Sequence, residues 1–277
     1  MTNVIKADLY RIFRGKALYI TFAIVAVIFI LFRGVGILGV TIGGSPMNAQ
    51  GAMIDNQFNG MQAPSIAMMI MDFLAYFVLA LVIFIVSNDF SAGTVRCALS
   101  VDVSRTKYYV SKLITTIAFC VALACFSIVV PTILGSIADG FGGEMSGEYI
   151  LSILIPFGVQ LFLLISLTCV GVFFAITTKN NTATTVLFLT FAMLPDVVIQ
   201  YYLDFTTYRA GVLDAAVEYE AGLGRLSIYS ITGSIRSMQF ASDLSDPTVM
   251  LTLAIGAFYL LASIIAGIAL FRKSAIK

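Results

Sequence analysis

Three ionisable side chains, Arg33, Asp72 and Asp196, stand inside otherwise apolar runs of this 277-residue chain. A charge in hydrocarbon is costly, so such groups face protein or water and find a partner there. Counting 1.5 Å per residue from the inner ends of their spans puts Arg33 ~24 Å, Asp72 ~22 Å and Asp196 ~18 Å along their helices. In a hydrocarbon core about 30 Å thick, all three lie in the far half and the first two are level. Arg33 and Asp72 fall on sequential antiparallel spans, so the expectation is that they neutralise each other. Asp196 is then the unpaired charge that faces a cavity.

This is the chemistry of binding and neutralisation rather than of bond making. The chain has no His, which removes imidazole metal ligands, Ser-His-Asp triads and Cys-His dyads together. No carboxylates cluster on one face, so a membrane enzyme is disfavoured. Cys97, Cys120, Cys125 and Cys169 form no CxxC pair or disulfide framework and read as small core residues. Nothing matches GxxxxGK[ST]; Gly15-Lys16-Ala17 is the nearest fragment and fails. No catalytic, metal or cofactor site is expected in this chain, and no nucleic acid as partner. A channel is disfavoured too, since no filter-like repeat or charge ring is visible.

The elements that must position these charges are membrane helices. With 60% hydrophobic and 11% charged residues and a mean hydropathy of +0.99, the chain cannot build an ordinary solvated surface. Apolar runs long enough to cross a bilayer occur at about 17–40, 64–87, 112–137, 149–176, 184–203 and 249–271. The expected fold is therefore a single all-α integral membrane domain with six spans. Segments 1–16, 88–112, 177–183 and 272–277 hold 12 of the 16 Lys and Arg, and six spans put all four on one side. By the positive-inside rule that side is cytoplasmic, with both termini, and the chain is a multi-pass protein of the cell membrane. The opposite side carries Asp55, Asp139, Glu144, Glu148, Asp204, Asp214, Glu218, Glu220, Asp243 and Asp246.

Two flanking segments look amphipathic. Near the N-terminus, Ile5, Leu9, Ile12 and Phe13 share a helical face bordered by Lys6 and Arg14, which suits a helix lying on anionic lipid. In the outer segment 204–248, Val212, Leu213, Ala216, Val217 and Glu220 follow helical spacing and Gly222 is a fitting C-cap. Pro131, Pro156 and Pro195 fall within the third, fourth and fifth spans and are expected to break or bend them.

The longest basic-side loop, 88–111, carries helix signals of its own. Ser91 is placed to cap a short helix through Leu99, with Val95, Ala98 and Leu99 clustered. Ser104 is placed to cap a second helix that runs straight into the third span, and Asp102 lies between the two. In order the loop reads Asp89, Gly93-Thr94-Val95, Leu99-Ser100, Val103-Ser104-Arg105 and Lys112. This series, between the second and third of six spans, resembles the coupling loop of type-2 ABC (ATP-binding-cassette) transporter permeases. It departs from that pattern with Asp89 where Glu is usual, Asp102 where Pro often stands and Ser111 where Gly often stands.

The resemblance implies an exporter permease subunit. Its residues 1–16 would be an elbow helix, and residues near 91–100 a coupling helix docked on a separate ATPase. Ser91, Gly93, Thr94, Val95, Arg96, Leu99, Ser100, Ser104 and Arg105 would form that contact, and the partner would bind ATP and Mg. A second permease copy or a homologous permease would complete the transporter in membrane lipid. The second and fifth spans would line the pathway, placing Asp72 and Asp196 beside a cationic or amphipathic substrate such as an antimicrobial peptide or a hydrophobic drug. The alternative from another class is an immunity or binding protein that captures a toxic peptide without transport.

Overall fold

The computed structural model describes residues 2–37, 59–95, 104–210, 229–238, 241 and 243–273. The described residues are helical throughout, apart from turns and short links. α1 (Thr2–Arg14) precedes α2 (Lys16–Ile37), and the two meet at an angle of 57°. The second apolar run divides into α3 (Ala63–Met69), a 3-10 turn (Met71–Phe73), α4 (Leu74–Val82), a π turn (Ile83–Ser87) and α5 (Asn88–Ser91). There follow α6 (Arg105–Asp139), α7 (Gly147–Thr178), α8 (Asn181–Ala210), α9 (Ile231–Ser237) and α10 (Pro247–Lys273).

Among the described residues, five runs are long and apolar enough to cross a membrane: Met71–Ser91, Arg105–Ile137, Gly147–Thr178, Asn181–Ile199 and Pro247–Lys273. They match five of the six expected spans, and the chain is a multi-pass membrane protein. Segments around α1 and α2 meet the same test only as a bent pair.

The two ends of the bundle differ in character. At one, Arg105 donates to the carbonyl of Arg272 (3.1 Å), and Ser91 and Asn88 meet Asn181 at 3.1 and 2.7 Å. At the other, the amides of Gly60 and Met61 donate to the carbonyls of Gly140 and Phe141 (3.0 and 2.9 Å), and Tyr149 donates to the carbonyl of Met61 (2.7 Å). Among the described residues, the basic segments gather at the first end and the acidic links at the second, in keeping with the charge distribution. The core runs through α4, α6, α7 and α10, where small residues let helices close. A Cβ on Gly267 of α10 would meet the ring and hydroxyl of Tyr109, which itself donates to the carbonyl of Ser263 at 3.3 Å.

Several local expectations change. Of the breaks or bends expected at Pro131, Pro156 and Pro195, no break occurs: each proline sits inside a helix that continues past it. The hydrogen-bond ladder on either side of each proline holds the helix through one missing donor. The second span does break, at Ile70, where no proline stands. In α1 the buried stripe is Asp8 and Ile12, while Tyr10 and Phe13 are exposed. The helix is rotated from its expected apolar face because Asp8 has partners inside. The proposed outer helix around 212–222 lies outside the described residues. Within the outer segment the structure instead shows α9, buried at Ile231 to Ile235 and capped by Ser230, whose hydroxyl accepts from the amide of Gly233 (3.3 Å).

Candidate functional site

Two charged constellations occupy opposite halves of the bundle. The first ties α1 to both ends of the loop between the second and third spans. Lys112, 1% exposed, pairs with Asp8 at 2.6 Å and also with Asp89. Arg11 pairs with Asp89, lies 3.5 Å from Asp8 and donates to the carbonyl of Ile85 at 3.3 Å. The hydroxyl of Tyr108 donates to Asp89 at 2.9 Å, and its ring lies 5.4 Å from the ammonium of Lys112. Two carboxylates and two cations make the group neutral, which is the condition for burying it. Burial pushes the Asp8 carboxyl above its ordinary range, and the ammonium of Lys112 opposes that rise.

The loop itself begins where the second span ends. Gly93 terminates that helix at φ +70°, with its amide donating to the carbonyl of Phe90 (3.2 Å), a left-handed stop that glycine adopts without a Cβ penalty. Thr94 donates its hydroxyl to the carbonyl of Asp89 (3.1 Å). Ser91 does not cap a following helix. It closes α5, and its hydroxyl donates to the carbonyl of Ser87 and to Asn181 (3.2 and 3.1 Å). Val95 is 1% exposed, so its side chain anchors the loop in the core rather than facing outward. Ser104 does cap α6, accepting from the amide of Lys107 at 3.4 Å, and that helix runs unbroken into the third span as expected. Arg96, Leu99 and Ser100 lie outside the described residues.

Nothing lies within 4 Å of a Cβ built on Gly93, so replacing this glycine tests conformation alone. Gly93→Ala is expected to lower stability by about 1 kcal/mol, the cost of a left-handed backbone for an L residue. Gly93→Asn, which tolerates that region, should cost less. Thermal denaturation in detergent compares the two, and equal melting of alanine and asparagine variants would contradict the left-handed stop.

The second constellation is a cavity of about 370 Å³ between the second span, α8 and α9. The break at Ile70 borders it, with Met69, Asp72 and Phe73 in the wall. Asp72 sits in the 3-10 turn just after the break, and its Oδ1 accepts from the amide of Phe73 at 3.0 Å. Its Oδ2 accepts from Nε and Nη2 of Arg236, at 3.0 and 2.9 Å. The same Nη2 lies 3.4 Å from Asp196. Phe73, Tyr76, Phe188 and Met193 supply apolar wall. Burial works against the charge on Arg236, but the hydrogen bonds and charges of Asp72 and then Asp196 outweigh it, holding the guanidinium above the ordinary arginine value.

Gln160 of α7 holds this arrangement from below. Fully buried, it donates through Nε2 to the carbonyl of Met68, beside the break, and to that of Ile235 in α9 (3.1 and 2.8 Å).

The sequence reading set Asp72 level with Arg33 and paired the two, and it left Asp196 facing a cavity without a partner. Asp196 is not unpaired, and the described partner of both carboxylates is Arg236. The side chain of Arg33 lies outside the described residues. Arg236 was legible as a rare cation on the acidic side, next to Ile231 and Ile235, yet nothing local says that α9 turns inward. No model of a known protein family matches the chain. No curated protein sequence matches it either.

Proposed function

We propose that this chain is the membrane permease subunit of an ABC-type exporter, driven by ATP hydrolysis in a separate partner chain. In this reading α2 completes six spans, α1 is an elbow helix at the inner leaflet, and the basic end with both termini is cytoplasmic. The residues near 91–100 dock on the ATPase, and a second permease completes the transporter in the cell membrane. The substrate is an amphipathic or hydrophobic molecule, such as an antimicrobial peptide or a drug, moved outward.

The buried ion cluster carries this reading. Asp89 and Lys112, the charged residues at the two ends of the coupling-like loop, are joined to each other and to Asp8 and Arg11 of α1. A push on such a loop reaches the second span, the third span and α1 together, because none can move without breaking a buried pair. The charged cavity between the second and fifth spans then lies at the other end of the lever. The chain itself makes and breaks no covalent bond.

Capture of the tagged chain from its native membranes tests this. An associated ATPase of the ABC type is expected, and Arg96→Glu together with Leu99→Asp should abolish its recovery while the permease still melts as the parent does. Recovery of the ATPase with the doubly substituted chain overturns the coupling assignment. Absence of any ATPase from the parent complex, with a bound peptide retained, favours capture without transport.

A further inference from the structure

We infer that the cavity between the second span, α8 and α9 binds an organic cation, and that Arg236 is a tethered stand-in which the ligand displaces. This names the substrate class for the transport reading and leans on it for the word substrate alone, since binding needs no ATPase.

The charge arrangement points to a cation. Two carboxylates face one guanidinium, so among the described residues the lining carries a net charge of −1. One nitrogen of Arg236, Nη2, serves both acids, bonding Asp72 at 2.9 Å and standing off Asp196 at 3.4 Å. Among the described residues, Asp196 has no closer cation, although a carboxylate has room for several donors. An anion would have to enter against both acids, at a depth where Coulomb repulsion is poorly screened.

The order of burial points to displacement. The side chain of Arg236 is 46% exposed, against 11% for Asp72 and 16% for Asp196. The guanidinium therefore caps more deeply buried carboxylates from the open side, carried on a seven-residue helix. An incoming ammonium or amidinium can take the place of the guanidinium between Asp72 and Asp196, so that neither acid is left unpaired while Arg236 swings outward into water.

The walls point to an organic body. Phe73, Tyr76 and Phe188 offer ring surface, and Met69 and Met193 are adaptable. A volume of about 370 Å³ far exceeds that of a bare ion and falls within the usual range for small-molecule sites. No group of three metal-ligating side chains occurs among the described residues.

Equilibrium dialysis of tetraphenylphosphonium against the chain in lipid nanodiscs tests the inference, with empty nanodiscs subtracted. Saturable binding is expected. Asp196→Asn should weaken it about tenfold and Arg236→Gln should tighten it about tenfold, because one removes a charge from the site and the other removes a competitor. Arg236→Lys, whose single ammonium holds one carboxylate less firmly, should fall between parent and glutamine variant; it decides the matter if the glutamine variant fails to fold. Absence of saturable binding, or Arg236 variants that bind no tighter than the parent, overturns the inference. So does saturable tetraphenylborate binding that Arg236→Gln abolishes, which would mark an anion site. Each of these outcomes leaves the ATPase-capture result untouched, and failure of that capture leaves cation binding standing.

Discussion

Replacing Lys112 with methionine is expected to destabilise the protein by about 3–5 kcal/mol, the usual cost of stripping one partner from a buried ion pair. Methionine nearly preserves the volume, so the loss isolates the charge. Lys112 is 1% exposed and holds both Asp8 and Asp89. Without it, Arg11 alone must neutralise two carboxylates, and it sits 3.5 Å from Asp8. Adding Asp8→Asn to the methionine variant should recover much of the loss, because Asp89 keeps Arg11 and Tyr108. A methionine variant that melts with the parent, or a double variant no better than the single, would show that the cluster does not hold α1 to the loop.

The same variant carries a pH signature. The carboxyl of Asp8 is raised by burial and pulled down by Lys112, so removing Lys112 raises it further. A group whose folded value lies above its unfolded value contributes stability at low pH and loses it as pH rises through the folded value. The deficit of Lys112→Met should therefore be smaller in mildly acidic than in alkaline buffer. A deficit that grows on acidification would assign the cost to some other group.

Gln160→Leu is expected to cost about 2–3 kcal/mol. Two hydrogen bonds vanish, and the carbonyls of Met68 and Ile235 lose the donor that Gln160 gave them. Each carbonyl left unsatisfied costs about 1–3 kcal/mol, and no bilayer water replaces the donor. The loss is partly offset because Oε1 of Gln160 has no partner among the described residues, and leucine removes that buried acceptor. The consequence for function is larger than the number suggests. With α9 no longer pinned, Arg236 loses its position over Asp72 and Asp196, so cation affinity in the nanodisc assay should change along with the melting temperature. Parental melting and unchanged cation binding together would remove Gln160 from any supporting role.

Comparison of these residues shows what can be read locally. The spans were legible because about twenty consecutive apolar residues have few other fates. The helix start at Ser104 was legible because capping is a contact within one turn. Asp89 and Lys112 were singled out by the loop pattern, but their burial against Asp8 and Arg11 was not. That pairing depends on how α1 is rotated, which an amphipathic count assigned to Phe13 instead.

The partner of Asp72 shows the same limit more sharply. Depth along each span came from residue counting, and it placed both Asp72 and Asp196 in the far half of the bilayer. Their cation lies 164 residues beyond Asp72, on a short helix that turns inward. By itself the sequence determined which segments are membrane helices, how the charge divides between the two ends, and where the third span begins. The tertiary structure alone decided the break at Ile70, the inward path of α9 and the meeting of Arg236 with both acids. Hydrophobicity acts along the chain over one helix, whereas an ion pair in the membrane depends on which faces of several helices come together.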